Sequence, residues 1–348
     1  MHGERLFDSK KKIAFIVSDH MRLFIYILFF SFGFHLFICR AESQTLVWPP
    51  PPEKARIKHL QTVSSLKDVS SEPGFFSKVF SFIFGGTTVS QWLTQPVGIA
   101  ISKDGLLYIA DPGIKGIHIL DLQEKEYSFI GETKFGTFIS PVALAFAANG
   151  DLYISDSERR EIIVLSADRT PLFSIKDSLV RPTGIRIFNN KLYVADAGKN
   201  KILVFSLDGR FAFEFGRRGV DHGEFNFPVQ LTANDSLYVV DGMNFRIQQF
   251  THEGKYVSSF GQIGNTAGYF ANPKSIALDS DGHLYVTDAL LDNFQIFDSA
   301  GKLLLVVGSK GISDGEFLSP SGIAIDSNDN IYIIDSLNKR IQIFKYLR

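Results

Sequence analysis

The sequence predicts an all-β fold, a six-bladed β-propeller whose blades each have four strands. The first observation is a unit of proline, apolar strand and second strand that occurs six times, with its prolines at Pro96, Pro141, Pro182, Pro228, Pro273 and Pro320. These prolines are 45, 41, 46, 45 and 47 residues apart. The second observation is that the aspartate ending each second strand keeps the same period, at Asp111, Asp156, Asp196, Asp241, Asp288 and Asp335. Strand-turn-strand units with a period of about forty residues are typical of propeller blades, which bury their faces only against one another.

Within each repeat, the strands are separated by residues that suit tight turns. The second strands read LYIAD, LYISD, LYVAD, LYVVD, LYVTD and IYIID, and the third strands read IHIL, IIVL, ILVF, IQQF, FQIF and IQIF. The turns after the first strands contain Asp, Asn and Gly, residue types that tolerate positive φ. Because apolar residues occupy both faces of the strands, we expect each sheet to be covered on both sides.

The last repeat, residues 319–344, contains only three predicted strands. Other repeats complete a fourth strand with sequences such as FEFG at 213–216 or LVVG at 305–308. Residues 56–63 (RIKHLQTV) alternate well enough for a strand. We therefore expect residues 56–63 to supply the missing strand and close the ring, so that residues 56–348 form one propeller domain.

Two further segments precede the first blade. Residues 41–55 contain four consecutive prolines, which predict a stiff, extended stalk. Residues 73–86 (PGFFSKVFSFIFGG) place apolar side chains on one face at helical spacing and predict a short helical insert. Two interpretations of this helix stay open, because it can pack across one end of the propeller or lie in a lipid interface.

The N-terminal segment, residues 1–40, contains an almost uncharged apolar run at residues 22–39. Basic side chains precede the run, a pattern that predicts either a signal peptide or a short membrane anchor. Translation could also begin at Met21, which stands directly before the run. Cys39 ends the run and is a candidate for lipidation, although the bulky residues before it depart from the usual lipoprotein signal. We therefore expect an exported protein, periplasmic or anchored at the cell envelope.

Charge and cysteine content exclude several classes of site. Residues 91–348 carry 25 basic and 30 acidic side chains, a net charge of −5. Nucleic-acid binding depends mainly on the neutralisation of phosphates, so we expect no nucleic-acid partner. Cys39 is the single cysteine in the chain, which excludes an intramolecular disulfide and a Cys-x-x-Cys redox or zinc site.

At these repeats the chain resembles the NHL-repeat proteins, whose unit runs Pro-x-Gly-Ile-Ala, Asp-Gly, Leu-Tyr-Val-x-Asp and Asn-x-Arg-Ile-x-x-Phe. The resemblance covers residues 95–348. The element D-x-x-N-x-R is complete in two repeats, as Asp241, Asn244 and Arg246 and as Asp335, Asn338 and Arg340. The third repeat keeps it loosely, and the first, second and fifth depart from it. The resemblance implies a six-bladed propeller, and the chain looks like a bacterial exported subgroup of the family. It implies no single function, because propellers host many unrelated activities.

The two complete D-x-x-N-x-R elements predict a structural network. A short carboxylate can accept hydrogen bonds from backbone amides while the guanidinium pairs with it, which would hold strand two to strand three. Contact with a ligand is the alternative interpretation.

Three copies of one long loop connect the later repeats and begin at Gly216, Gly261 and Gly308. In a four-stranded blade, these loops and the loops between strands two and three emerge on the same face, which we call the loop face. Because loops carry variable side chains on a fixed scaffold, we predict a binding surface there. Its candidate residues are Arg217, Arg218, Asp221, His222, Lys310 and Asp314. The alternative is that the glycines only permit the turn and that the loop phenylalanines, Phe225, Phe270 and Phe317, plug the gaps between blades.

The sequence favours a non-catalytic binding scaffold. We expect a monomeric propeller without a cofactor, attached to the membrane by its N-terminal segment, that recognises an envelope protein or peptide. A metal-dependent hydrolase or lyase that uses the central channel is the alternative. The histidines of the repeats, residues 95–348, fall at unlike repeat positions, so we predict no common metal centre. The four are His118, His222, His252 and His283. Calcium in an aspartate-rich channel is a further possibility, and the chain contains no nucleophile-elbow, zincin or P-loop motif.

Overall fold

The computed structural model describes residues 45–69 and 92–348, and over these residues the fold is an all-β propeller of six antiparallel blades. The predicted fold class is confirmed. In the described part of the chain, no helix is long and apolar enough to cross a membrane. Two predicted segments lie outside the described residues, the leader at 1–40 with its candidate Cys39 and the helical insert at 73–86. Within the described residues, helical structure is limited to two 3-10 turns, Leu66–Asp68 and Gly242–Asn244.

The strands follow one another in the order that the repeats predict. Two strands precede the first repeat, β1 (Val47–Trp48) and β2 (Ile57–Val63). Blade 1 contains β3 (Gly98–Ile101), β4 (Leu107–Asp111), β5 (Gly116–Asp121) and β6 (Glu126–Ile130). A small hairpin follows, β7 (Glu132–Thr133) and β8 (Gly136–Thr137). Blade 2 contains β9 (Pro141–Phe146), β10 (Leu152–Asp156), β11 (Glu161–Leu165) and β12 (Pro171–Ile175). Blade 3 contains β13 (Pro182–Phe188), β14 (Lys191–Asp196), β15 (Lys201–Ser206) and β16 (Phe211–Phe215).

The remaining blades repeat this pattern. Blade 4 contains β17 (Pro228–Ala233), β18 (Leu237–Asp241), β19 (Arg246–Phe250) and β20 (Tyr256–Phe260). Blade 5 contains β21 (Pro273–Leu278), β22 (Leu284–Asp288), β23 (Asn293–Phe297) and β24 (Leu303–Val307). Blade 6 contains β25 (Pro320–Ile325), β26 (Asn330–Asp335) and β27 (Arg340–Tyr346). The first strand of each blade is innermost, and the inner strands of successive blades contact one another around the ring, β25 with β3 included.

Both faces of the second strand of each blade are covered by neighbouring residues. Four of these strands, among them β4 and β10, are buried at every position. The buried side chains form six clusters, each shared by two adjacent blades. One cluster, for example, joins Ile334 and Ile341 of blade 6 to Leu107 and Ile109 of blade 1. Each blade therefore buries its faces only against its neighbours, as the apolar pattern of the strands predicts.

The ring is closed by the N-terminal strand, as predicted. β2 lies antiparallel to β27, with Ile57 opposite Tyr346 and Val63 opposite Ile341, and so becomes the outer strand of blade 6. Since β27 belongs to the last repeat, this pairing joins the two ends of the propeller and leaves no exposed edge on β27.

The structure differs from the predicted stalk over the residues that it describes. β1 (Val47–Trp48) pairs with β2 and adds a fifth strand to blade 6. The Trp48 ring packs edge-on against Phe344, with centroids 5.7 Å apart, and backbone hydrogen bonds join Arg56 to Trp48 and His59 to Leu46. Burial of an aromatic side chain on the blade outweighs the preference of the proline run for an extended spacer. Residues 46–56 therefore return along the propeller as a hairpin.

Ring closure can be tested on β2 itself, where Ile57 is fully buried and Leu60 is 46% exposed. We expect Ile57→Ala to lower the free energy of unfolding by about 2–5 kcal/mol, because it leaves a cavity between blades 5 and 6. Leu60→Ala is the matched control on the same strand and should change it by less than about 1 kcal/mol. Urea unfolding of both variants gives the comparison. Equal, small effects would show that β2 contributes little to the stability of the ring.

Candidate functional site

One buried aspartate organises the loop face of every blade. The six aspartates that end the second strands are fully buried. Each accepts a hydrogen bond of 2.7–2.8 Å from the backbone amide two residues before the proline of its own repeat. The donors are Thr94, Ile139, Val180, Asn226, Ala271 and Leu318. The carboxylate thus fixes the loop that enters the blade to the end of the second strand, which sets where each loop emerges.

The two complete D-x-x-N-x-R elements form the predicted network and extend it. Asp335 Oδ2 accepts hydrogen bonds from Asn338 Nδ2 at 2.8 Å and from Arg340 Nε at 2.7 Å. The guanidinium of Arg340 also donates to the backbone carbonyls of the preceding loop, those of Ile312, Ser313 and Glu316. The network therefore holds strand two to strand three and also holds the inter-blade loop to both.

The same network recurs in blade 4. Asp241 Oδ2 accepts from Asn244 Nδ2 at 2.8 Å and from Arg246 Nε at 2.9 Å. Arg246 donates in turn to the carbonyls of Asp221 and Glu224 in the preceding loop. In both blades the carboxylate and guanidinium are occupied by protein groups, which agrees with the structural interpretation of these six residues.

A glutamine of the third strand supports each of the three long loops, and sequence comparison did not single it out. Gln248, Gln295 and Gln342 are fully buried. Each side-chain oxygen accepts from the amide of a loop glycine, at 3.0, 2.7 and 2.8 Å, and each side-chain nitrogen donates to a carbonyl of the same loop. The signal was present in the sequence, since only repeats that follow a long loop carry glutamine at this position.

The loop phenylalanines plug the gaps between blades. Phe225, Phe270 and Phe317 are fully buried, and each belongs to a cluster shared by two blades. A Cβ at Gly216 would lie 2.4 Å from the ring of Phe225, so glycine is required where each loop passes over its phenylalanine. These residues therefore act in packing.

The predicted binding residues lie at the rim of the loop face and in two separate loops. All six are exposed. Arg217 pairs with Glu224, and the ring of His222 stacks on Tyr256 of the outer strand β20, with centroids 4.7 Å apart. Asp314 accepts a hydrogen bond of 2.6 Å from Thr62 of the outer strand β2. Among the described residues, no hydrogen bond or ion pair joins the loop at 216–225 to the loop at 308–317, so the six do not form one cluster.

The most exposed large apolar side chains all lie on the loop face. Six of them are 57–74% exposed, more than any other large apolar side chain in the described residues. They are Val220, Met243, Ile263, Leu290, Ile312 and Leu337. Three belong to the long loops and three to the loops between strands two and three of blades 4, 5 and 6. Exposed aliphatic side chains grouped on one face are typical of a surface that binds another protein. The sequence analysis missed these residues.

Backbone hydrogen bonds hold these loops in position. The amide of Met243 donates to the carbonyl of Asn226, and the amide of Leu337 donates to the carbonyl of Leu318. In blade 6, the Asn338 side chain also donates to the carbonyl of Gly311. The loops of blades 4 to 6 therefore present their apolar side chains from a fixed backbone.

The central channel opens on the same face. A cavity of about 500 Å³ forms its mouth and is lined by the residue after the proline of every repeat. These six residues are Val97, Val142, Thr183, Val229, Lys274 and Ser321. A second cavity of about 260 Å³ lies deeper and is lined by the inner strands of all six blades. Gln230 and Ser275 line both cavities, so the two adjoin.

The channel carries positive charge. Lys274 and Lys339 line the mouth and Arg186 lines the interior, whereas neither cavity is lined by an acidic side chain or a histidine from the described residues. The surrounding protein desolvates Lys274 and Arg186 and lowers the pKa of each side chain. Sequence comparison could have found them, because the other repeats carry an uncharged residue at each of these two positions.

The histidines are dispersed, and they bond to different partners. His283 Nδ1 lies 2.9 Å from Asp279 Oδ2, and His252 Nε2 lies 2.9 Å from the carbonyl of Asn234. His118 is fully buried in blade 1, while His222 is on the rim. Within residues 45–69 and 92–348, no three His, Cys, Asp or Glu side chains are close enough together to hold a metal ion.

His118 occupies the position that glutamine takes in blades 4 to 6. Its Nδ1 lies 2.9 Å from the hydroxyl of Tyr127, and its Nε2 lies 3.5 Å from Asp111 Oδ2. Complete burial lowers the pKa of the His118 imidazole below 6.5, although Asp111 opposes this shift. The imidazole is therefore neutral in the folded protein at neutral pH.

Comparisons with known proteins support the fold. The family model DUF5128, described as a 6-bladed beta-propeller, matches residues 278–346. A search of curated proteins finds no match. Among solved structures, a streptogramin B lyase is 15% identical, with a TM-score of 0.55 over 73% of this chain and 94% of that chain. A protein of unknown function from Bacteroides thetaiotaomicron is 14% identical, with a TM-score of 0.62 over 83% and 75%. Hydrazine synthase from Kuenenia stuttgartiensis is 19% identical, with a TM-score of 0.55 over 74% and 78%. At these identities the similarity shows the propeller fold alone.

The Asp335–Arg340 pair should be essential for stability. Arg340→Ala removes the cation that pairs with a fully buried carboxylate and the guanidinium donor to the carbonyls of Ile312 and Ser313, so we expect a loss of about 3–5 kcal/mol in the free energy of unfolding. Arg210→Ala is the control, because Arg210 and its partner Asp208 are both exposed and such pairs contribute about 0–1 kcal/mol. Chemical denaturation measures both losses. A loss at Arg340 no larger than that at Arg210 would contradict a structural role.

His118 should make stability depend on pH. Its pKa is lower in the folded state than in the unfolded state, so unfolded chains bind the proton more readily, and stability is lost as the pH falls below about 6.5. His118→Gln introduces glutamine, the residue that blades 4 to 6 carry at this position, and its side chain does not titrate. Thermal midpoints measured between about pH 8 and pH 5 should fall more steeply for the natural protein than for the variant. Parallel profiles would show that His118 is not responsible.

Proposed function

We propose that this protein is a non-catalytic binding scaffold that recognises a protein or peptide partner through the loop face of the propeller. The observation that carries the proposal is the group of six exposed aliphatic side chains on the loops of blades 4 to 6. Leaving such side chains in water is unfavourable, and a partner that covers them gains roughly 25 cal/mol for each Å² of apolar surface. Because hydrogen bonds already fix the loops, little conformational entropy is lost on binding.

The charged residues at the rim fit the same surface. Arg217, Arg218, Asp221 and His222 lie beside Val220 in one loop, and Lys310 and Asp314 lie beside Ile312 in another. An apolar centre with a charged, solvent-exposed edge is the usual composition of a protein interface. These charges would set the orientation of the partner, while the aliphatic side chains would supply most of the affinity.

The place of action that we propose is the cell envelope. The apolar run at residues 22–39 supports export or anchoring, and Cys39 is a candidate for lipidation. The resemblance to exported NHL-repeat proteins supports the same assignment. We further propose that the propeller acts as a monomer, since its ring is closed within one chain.

A metal-dependent hydrolase or lyase in the channel is the weaker candidate. The fold is shared with a streptogramin B lyase, which makes an enzyme worth testing. However, the described residues that line the two channel cavities provide two lysines and an arginine and no carboxylate or imidazole. Cations repel a metal ion, so this lining favours a different kind of ligand.

The scaffold proposal can be tested by capture of the partner from a native envelope fraction. We expect the double variant Ile312→Asp/Leu337→Asp to weaken binding about tenfold or more, because it places two charges in the apolar centre of the interface. Arg217→Glu/Arg218→Glu should weaken binding less and mainly slow association. The binding constant of the crosslinked partner, measured with purified components, gives the comparison.

Val257→Asp/Leu304→Asp is the matched control. These two side chains are similarly apolar and 46–50% exposed but belong to outer strands away from the loop face. The control should bind as the natural protein does. Equal binding by the loop-face variant and the control would contradict the proposal, and bound metal with an activity lost on chelation would support the enzyme instead.

A further inference from the structure

Three cations line the central channel, and Lys339, at its mouth, interacts with other protein groups. For the other two, Lys274 and Arg186, the described residues provide no hydrogen-bond or ion-pair partner. The carboxylate that most affects Lys274 is that of Asp288, but Asp288 is fully buried and already accepts hydrogen bonds from the amides of Ala271 and Asn272. A charge that is partly desolvated and has no partner is unfavourable, so both cations favour the entry of an anion.

The inner strands do not require a charged side chain at the position of Lys274 or at that of Arg186. Lys274 follows the proline of its repeat, a position that the other blades fill with valine, threonine or serine. Arg186 lies four residues after its proline, where the other blades have Ala100, Ala145, Thr232, Ala277 and Ala324. Since small uncharged residues suffice for the inner strand in the other blades, packing does not explain the lysine or the arginine.

Their side chains keep donors available for a ligand. Arg186 is surrounded by the inner strands, which lowers its pKa, yet its side chain remains accessible to water because it projects into the open channel. The neighbouring hydroxyls of the mouth are already used, since Thr183 donates to the carbonyl of Pro228 and Ser321 bonds to Ser336. Lys274 and Arg186 are therefore the groups that an anion would meet.

Their positions also set the length of the ligand. The inner strands run from the loop face into the channel, so a position four residues after the proline lies about 10 Å deeper than one directly after it, at about 3.3 Å per residue. The cations belong to blades 5 and 3 and reach toward the axis from different sides. Two separated positive charges fit an elongated molecule with an anionic group at each end better than one compact anion.

We propose that the central channel binds a small organic dianion of the dicarboxylate class, with one carboxylate at the Lys274 ammonium in the mouth and the other at the Arg186 guanidinium in the interior. The mouth and interior cavities, about 500 and 260 Å³, accommodate such a molecule. The ligand is a small molecule rather than a segment of a protein because the interior cavity holds only about 260 Å³ and is lined by the inner strands of all six blades. This proposal does not depend on the protein partner proposed above.

Calorimetric titration of the full-length protein in non-ionic detergent tests it. The probes are succinate, glutarate and adipate, which differ in the separation of their carboxylates, with butyrate as a monoanion and sulfate as a compact dianion, all at constant ionic strength. We expect one dicarboxylate to bind at least about tenfold more tightly than butyrate or sulfate, since only it can bond to both cations. No dicarboxylate binding at millimolar concentration, or equal binding of all five probes, would overturn the proposal.

Variants locate the site. Lys274→Gln and Arg186→Gln should each weaken the preferred dicarboxylate about ten- to hundredfold, because each removes one charge-assisted contact. Lys302→Gln changes an exposed lysine outside the channel lining, is the control and should leave the affinity unchanged. Unchanged affinity in both channel variants would overturn the proposal. The titration contains no protein partner, so failure here and failure of the partner hypothesis are distinguishable.

Stability without ligand gives an independent measurement. If the Arg186 guanidinium serves a ligand and not the fold, Arg186→Ala should raise the thermal midpoint in anion-poor buffer, because it removes an unpaired charge and supplies the residue that four other blades carry. A lower midpoint would mean that the guanidinium supports the inner strands, and it would contradict its assignment as a ligand group.

Discussion

The loop face depends on one interaction that is repeated six times, the hydrogen bond from the backbone before each proline to the buried aspartate of the same blade. A proline follows directly, so the entering chain has few backbone donors of its own with which to hold its place. The aspartate supplies the missing acceptor, and the amides compensate the burial of its charge. The start of the inner strand, the mouth of the channel and the loops above it are all positioned by this contact.

Variation around this contact explains why the blades differ. In blades 1, 2, 3 and 5, the aspartate also bonds to the amide directly before the proline. In blades 4 and 6 that amide instead donates to a side chain of the preceding blade, Asn200 or Asp292. The second carboxylate oxygen is then free to accept from asparagine, arginine and glutamine, and these bind the long loop. The complete D-x-x-N-x-R elements therefore follow two of the three long loops, those that enter blades 4 and 6, whereas blade 5 supports its long loop through Gln295.

The fold was predictable because the residues that determine it recur in every repeat. The candidate sites were not predictable because the residues that form them do not recur. The period of the prolines and aspartates defined six blades, and the missing strand of the last repeat located β2. Val220 and Phe225 are apolar residues of one loop, yet one is 69% exposed and the other is fully buried. Their exposure differs because the backbone of the loop turns one side chain outward and the other into the gap between blades. The packing of Trp48 on Phe344 likewise depends on a contact between distant parts of the chain. Lys274 and Arg186 were visible in the sequence, but as exceptions to the repeat.

The location of the two channel cations follows from the charge of the propeller. With a net charge of −5 over residues 91–348, the outer surface repels small anions, and salt screens a single surface lysine within about 8–10 Å. Inside the channel, the walls have a low dielectric constant and the described lining residues include no acidic side chain, so each positive charge acts more strongly. Cations at two depths of the same channel can therefore attract an anion that the surface would exclude. The channel mouth opens among the loops, and Leu337 belongs both to the lining of the mouth and to the exposed apolar group of blades 4 to 6, so the small-molecule site and the partner surface adjoin on one face.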